Sequence, residues 1–135
     1  MLKICLNNNH MDFEEQLILF NKTFNIDFTK EKWQLKHFKN PYTQFSENVC
    51  LYKNDELIGF NMFMPQKYIV DGKEMFFLQS CESVVAQSER GHRYLQKILS
   101  EAEQILKGKY NVIYGIPNNN SKPSFDKLGY KEKFF

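Results

Sequence analysis

The stretch from Glu82 to Leu99, ESVVAQSERGHRYLQKIL, constrains the fold more than any other, because the period of its apolar residues changes in the middle. Glu82 to Ala86 contains Val84 and Val85 with little alternation, which predicts a strand buried on both faces. From Tyr94 onward the apolar positions are Tyr94, Leu95, Ile98, Leu99, Ala102, Ile105 and Leu106, one stripe of a 3.6-residue helix. Ser88 to Arg93 is the polar turn between them. A helix N-terminus just beyond the carboxyl end of a strand suits an anion, because the first-turn N–H groups lack intrahelical partners and the peptide dipoles add positive charge. Arg90, His92 and Arg93 add donors, and Gly91 permits close approach to the backbone. Taken alone, the stretch fits equally an ordinary strand-turn-helix with solvated arginines.

The chain after this helix extends the pattern. Val112 to Ile116 is a buried-type strand following Lys107-Gly108, so the strands around Val84 and Ile113 are expected to run parallel with a right-handed crossover. Pro117 to Ser121 forms a loop, a short helix runs to Leu128, and Gly129 supplies a left-handed cap. Tyr130 to Phe135 begins another strand.

Before the central stretch, Met1 to Leu6 reads as a first strand. Asp12 is placed to cap a helix whose stripe is Phe13, Leu17, Phe20 and Phe24. A second helix starts at Thr29, carries Trp33 and His37, and stops near Asn40, because Pro41 disfavours helix in the residue before it. Strands follow at Val49 to Lys53 and Leu57 to Met64, turned at Asn54-Asp55 and closed by Pro65. Asp71-Gly72 then turns Tyr68 to Val70 into the long run Glu74 to Val85. The expected class is a mixed α/β fold, a mostly antiparallel sheet with one parallel pair and flanking helices.

At 135 residues the chain has the length of a single domain, 1–135, and 13 Phe with 7 Tyr supply a packed core. A net charge of +2, scattered rather than clustered, gives no reason to expect nucleic acid or a membrane surface as partner. Cys5, Cys50 and Cys81 are odd in number, far apart and among apolar residues. That predicts buried thiols in a reducing cytoplasm and no metal site.

The order of elements resembles the GNAT superfamily of acetyl-CoA-dependent N-acyltransferases. Val85-Ala86-Gln87-Ser88-Glu89-Arg90-Gly91 is similar to that family's strand end and coenzyme loop, and Asn118 to Ser121, Phe125, Lys127 and Leu128-Gly129-Tyr130 resemble its later segment. Trp33 to Pro41, Gln79 to Val85 and Ile116-Pro117-Asn118 look like a bacterial branch of the family with a relaxed coenzyme loop. The resemblance implies a cofactor, acetyl-CoA or another acyl-CoA, and a small-molecule or peptide amine as acceptor. It places the coenzyme against Val84, Val85, Arg90, Gly91, His92, Arg93, Tyr94, Asn118 and Ser121. The acceptor amine attacks the thioester directly, which requires a base. Glu82, a carboxylate in an apolar strand where burial raises its pKa, is the candidate; pairing with a lysine or a backbone amide is the equal alternative.

Two positions depart from the family pattern. Arg93 and Leu95 stand where small residues are usual, and Phe125 stands where many members carry the tyrosine that protonates the leaving thiolate. Tyr130 and Tyr114 are the candidates to substitute for the missing hydroxyl, although each is more often a packed strand aromatic. These departures motivate a competing expectation, a GNAT-shaped binding or assembly module without catalysis. The fold usually closes with a further strand, so the resemblance also implies a homodimer partner or a C-terminal segment over the sheet edge.

Overall fold

The structure is a computed structural model and describes residues 1–8, 13–37, 39 and 45–132. Among these residues, five strands form one sheet in the order β1-β2-β3-β4-β5. They are β1 (Leu2–Leu6), β2 (Glu47–Lys53), β3 (Glu56–Val70), β4 (Lys73–Val85) and β5 (Val112–Gly115). Neighbours are antiparallel except β4 and β5, which are parallel. The helices are α1 (Phe13–Phe24), α2 (Lys30–His37), α3 (Tyr94–Leu106) and α4 (Lys122–Lys127). This is the mixed α/β architecture that the sequence predicts.

Local chemistry accounts for the turns. Asn54-Asp55 and Asp71-Gly72 have positive φ at both central residues, the conformation whose twist matches a two-residue hairpin. Thr29 caps α2, its Oγ1 accepting from Lys32 N at 3.3 Å. The expected cap at Asp12 and the helix stop at Asn40-Pro41 lie outside the described residues.

β3 does not end at Pro65 as expected; it runs unbroken to Val70. Among the described residues the β2 ladder reaches only as far as Phe63, so Pro65 takes no N–H from that ladder. The expected terminal strand is also not seen where it can be checked. Tyr130 to Glu132 belong to no strand, and Lys133 to Phe135 lie outside the described residues.

The helices cover both faces of the sheet. α3 lays Tyr94, Ile98, Leu99, Ala102 and Leu106 on Val49, Leu51, Phe63 and Leu78. α1 and α2 place Leu17, Phe20 and Trp33 over Cys50, Phe60, Met62 and Val84 on the opposite face. Burying an aliphatic or aromatic side chain of this kind stabilises by about 1.5–3 kcal/mol, so the two clusters hold the sheet between them. The cysteines depart from expectation: Cys50 is buried, Cys5 is half-buried and Cys81 is exposed.

Candidate active site

The site begins where the parallel pair stops. The ladder runs from Phe77 opposite Val112 to Ser80 opposite Gly115 and goes no further. β5 is followed by Ile116-Pro117, and a proline cannot extend the ladder. β4 turns away at the same level. Ser80 pairs with Phe63 and Glu82 with Met62, so Cys81 has no partner across the strands and forms a bulge. A bulge bends its strand and adds twist. From Glu82 to Val85, β4 pairs only with β3, and a groove of about 470 Å³ opens on its other side. That volume lies within the usual range for a small-molecule site.

The bulge also decides which groups face the groove. Ala86 N donates to Ile58 O at 2.8 Å. In an antiparallel pair the amides alternate, so those of Val84 and Glu82 turn to β3 while those of Val85 and Ser83 turn to the open edge. Val84 therefore does not fit its expected role. It is 1% exposed, packed beneath α1, and does not line the groove, whereas Ser83 and Val85 do. The strand is not buried on both faces as predicted: Val84 is buried, while Glu82, Ser83 and Val85 are half-buried on the groove.

At one end of the groove stands the loop before α3. A short 3-10 turn, Gln87–Glu89, leads to Arg90, then Gly91 at φ 90° and Arg93 at φ 58°. Both values lie in the left-handed region, which glycine enters freely and a residue with Cβ enters at a cost of about 1–2 kcal/mol. The first α3 bond is Lys97 N to Arg93 O, and Arg93 caps the helix without a side-chain bond, so the first-turn amides have no acceptor within the helix. Arg90, Gly91, Arg93 and Tyr94 all line the groove. His92 does not; its ring stacks on Tyr94 at 5.2 Å. Glu89, also on the groove wall, is held by Lys53 at 3.0 Å and 3.1 Å, which offsets its charge near an anion site. An anionic, elongated ligand fits this loop: free amides, two guanidinium groups and a backbone kink at Gly91, where no neighbour stands within 4 Å of the place a Cβ would occupy.

The middle of the groove is polar. Asn61, fully buried on β3, donates its amide to Ser80 Oγ at 3.0 Å and accepts from Ser83 Oγ at 2.5 Å. Both serines line the groove. Glu82 sits between them on the strand, and its side chain goes to the α2 side. There it is ion-paired with Lys36 Nζ and is 12% exposed. The lysine pairing left open as an alternative is thus what the carboxylate has. His37 Nε2 lies 4.0 Å from the same Glu82 oxygen. His37 is fully buried against Trp33, neither ring nitrogen has a hydrogen-bond partner among the described residues, and burial, with Lys36 nearby, lowers its pKa to about 3. It is neutral. Burial also pushes the Cys81 thiol up, so this groove-lining sulfur is not a ready thiolate.

The far wall comes from the loop before α4. Asn118 and Ser121 both line the groove. Asn118 Oδ1 accepts from Asn120 N at 3.0 Å and Ser121 N at 2.9 Å, so Asn118 organises the turn, and Ser121 makes no cap bond. Phe125 faces the groove, 4% exposed and without a hydroxyl. Neither tyrosine replaces it. Tyr114 bonds Gln66 and lies 3.1 Å from the Tyr68 hydroxyl. Tyr130 packs edge-on against Phe125 at 4.9 Å, and burial, with Glu103 nearby, raises its pKa to about 12. Neither lines the groove. Among the described residues no group of histidines, cysteines and carboxylates is arranged to hold a metal, and no helix is long and apolar enough to cross a membrane.

Sequence reasoning missed the Cys81 bulge, the Asn61–Ser80–Ser83 network and Lys36. The signal for the first two was present. Asn61 interrupts an apolar run in β3, and Ser80-Cys81-Glu82-Ser83 interrupts one in β4.

Comparison with known proteins agrees with this geometry. The acetyltransferase (GNAT) domain family matches residues 7–132, and the chain belongs to that family. No protein of curated function matches it. Among solved structures, a ribosomal-protein-alanine N-acetyltransferase from Brucella melitensis is 13% identical with a TM-score of 0.74, over 99% of this chain and 94% of that one. A glucosamine-6-phosphate N-acetyltransferase from Arabidopsis thaliana is 12% identical with a TM-score of 0.74, over 100% and 95%. An aminoglycoside N-acetyltransferase in complex with CoA is 13% identical with a TM-score of 0.72, over 100% and 91%. At these identities the likeness is one of fold.

Proposed function

We propose that this chain is a cytoplasmic, single-domain N-acyltransferase that moves an acyl group from acetyl-CoA, or another acyl-CoA, to a primary amine. One observation carries the reading: β4 and β5 part at the Cys81 bulge, and the gap leads to the kinked loop at the start of α3. In the neighbour solved with CoA, the ligand gives the same fold a coenzyme; the family match makes that coenzyme the reasonable one here. The other neighbours act on an amino sugar phosphate and a ribosomal protein, so they support amine acylation without choosing an acceptor. Nothing in the comparisons supports a module without catalysis.

When bound, the coenzyme supplies an activated acyl thioester. The protein's part is to hold and orient it. The amides from Gly91 to Tyr94, with the Arg90 and Arg93 guanidinium groups, receive the diphosphate. The Val85 and Ser83 amides on the open edge would hold the thioester-bearing arm and supply donors for a carbonyl oxygen on which negative charge develops. Glu82 takes the proton from the acceptor's ammonium once Lys36 yields its place. Asn118 and Ser121 border the same groove. Phenylalanine at 125 offers no hydroxyl there, so a proton for a leaving thiol would have to come from solvent.

The test is a thermal-unfolding series with acetyl-CoA. A ligand that binds only the native state at a hundred times its Kd stabilises by about 2.7 kcal/mol. The wild type is expected to show such a shift, Arg90→Ala to lose most of it, and Glu82→Gln to keep it while turnover with an amine falls. No shift at millimolar coenzyme, or wild-type turnover in Glu82→Gln, contradicts the reading.

A further inference from the structure

The Lys36 ammonium is paired with Glu82, the groove-wall carboxylate next to the Cys81 bulge, whereas the other groove-wall carboxylate, Glu89, is held by Lys53 at the loop before α3. Its stem is held on both sides. Nζ contacts Glu82 Oε1 and also lies 5.9 Å from the centre of the Phe28 ring, a cation-π distance. Lys36 reaches Glu82 from the last turn of α2, while Glu82 leaves β4 one residue after the bulge. The influence of Lys36 extends to the Cys81 sulfur, which lines the groove, and lowers the pKa that burial otherwise raises. A primary amine is therefore already seated on the group assigned as base, and part of it stays exposed to solvent.

We propose that Lys36 is a self-acylation site, which rests on the transferase reading above. The donor is an acyl-coenzyme A thioester. Glu82 takes a proton from the Lys36 ammonium, and Nζ attacks the carbonyl carbon. A C–N bond forms and the C–S bond breaks. The nitrogen loses its second proton to solvent and the coenzyme thiolate takes one from solvent, leaving one lysine amide and one free thiol, with no change of oxidation state. The modification removes the charge of Lys36, so it ends both the ion pair with Glu82 and the contact with Phe28. Glu82 is left facing the groove without its internal cation, open to an amine from outside.

Lys30 is the built-in reference. It lies on the same helix and is also paired with a carboxylate, Glu14 at 2.5 Å, but that pair is exposed and away from the groove. The experiment incubates the full chain with acetyl-CoA and follows acetylation of each lysine by peptide mass spectrometry. Coenzyme binding is followed in parallel by thermal shift. The expected result is that Lys36 is acetylated about a hundred times faster than Lys30, the scale of general-base help, and that Glu82→Gln removes this excess while leaving the slow chemical labelling of Lys30 unchanged. Lys36→Arg is expected to abolish labelling at 36 and to retain the thermal shift, which also shows that the variant is folded. Equal rates at Lys36 and Lys30, with the thermal shift present, overturn the self-acylation proposal alone. Absence of the thermal shift overturns the transferase reading with it.

Discussion

The two halves of β4 differ in what surrounds them. From Phe77 to Ser80 the strand has a ladder on each side, β3 and β5, and a buried side chain at Leu78. From Glu82 to Val85 it has a ladder on one side and a groove on the other. One unpaired residue, Cys81, separates them. The first half can only pack. The second half exposes amides, a paired carboxylate and the Ser83 hydroxyl, and it can do so because α1, α2 and α3 hold the sheet elsewhere. A site of this kind does not need an unusual side chain; it needs an interrupted ladder in an otherwise closed sheet.

The comparison is sharpened first by truncating one side chain in each half. Leu78 is fully buried between β3 and β5, so Leu78→Ala is expected to lower unfolding free energy by about 2–5 kcal/mol in denaturant titrations. Val85 borders the groove, and Val85→Ala is expected to cost about 1 kcal/mol, since the space it leaves joins an open groove rather than a sealed cavity. Equal losses in the two variants would mean that the second half is as closed as the first.

A second way to break the comparison uses acid. His37 lies under Glu82, and its pKa falls from 6.5 to about 3 on folding. The unfolded chain therefore binds a proton that the native chain refuses between those values. Stability is fully present above pH 6.5 and declines as pH falls toward 3, by about 1.4 kcal/mol per pH unit from this group. His37→Phe, which cannot titrate, is expected to flatten that part of the profile relative to wild type. An unchanged slope would remove His37 from the acid response.

The smallest effect concerns the loop. Gly91 at φ 90° has open space around it, so Gly91→Ala is strained by backbone alone, and a loss of about 1–2 kcal/mol is expected in thermal melts. A neutral Gly91→Ala would show that the loop relaxes to another conformation.

Much of this was legible in the residues themselves. The apolar stripe from Tyr94 to Leu106, the turns at Asn54-Asp55 and Asp71-Gly72, and the parallel pairing of the strands before and after α3 follow from local spacing, and the structure has all three. The loop at Arg90-Gly91 was legible for the same reason. What was not legible depends on register. The strand around Val84 was expected to pair with β5, but the pairing ends four residues earlier at Ser80, because a bulge adds one residue without disturbing composition. That single step puts Val84 under α1 and leaves Ser83 and Val85 lining the groove. The Lys36–Glu82 pair joins residues far apart in the chain, and neither residue's neighbours carry a trace of the other.

The central claim is that the groove beside the second half of β4, with the loop at Arg90, receives a coenzyme. Amide chemical shifts recorded by NMR while CoA is added test it most directly. The account predicts that the largest changes fall at Ser83, Val85 and Gly91 to Gln96, with Leu78 and Phe77 unmoved. Changes centred on β1 or on the β3–β4 hairpin tip, or no changes at saturating CoA, would contradict it.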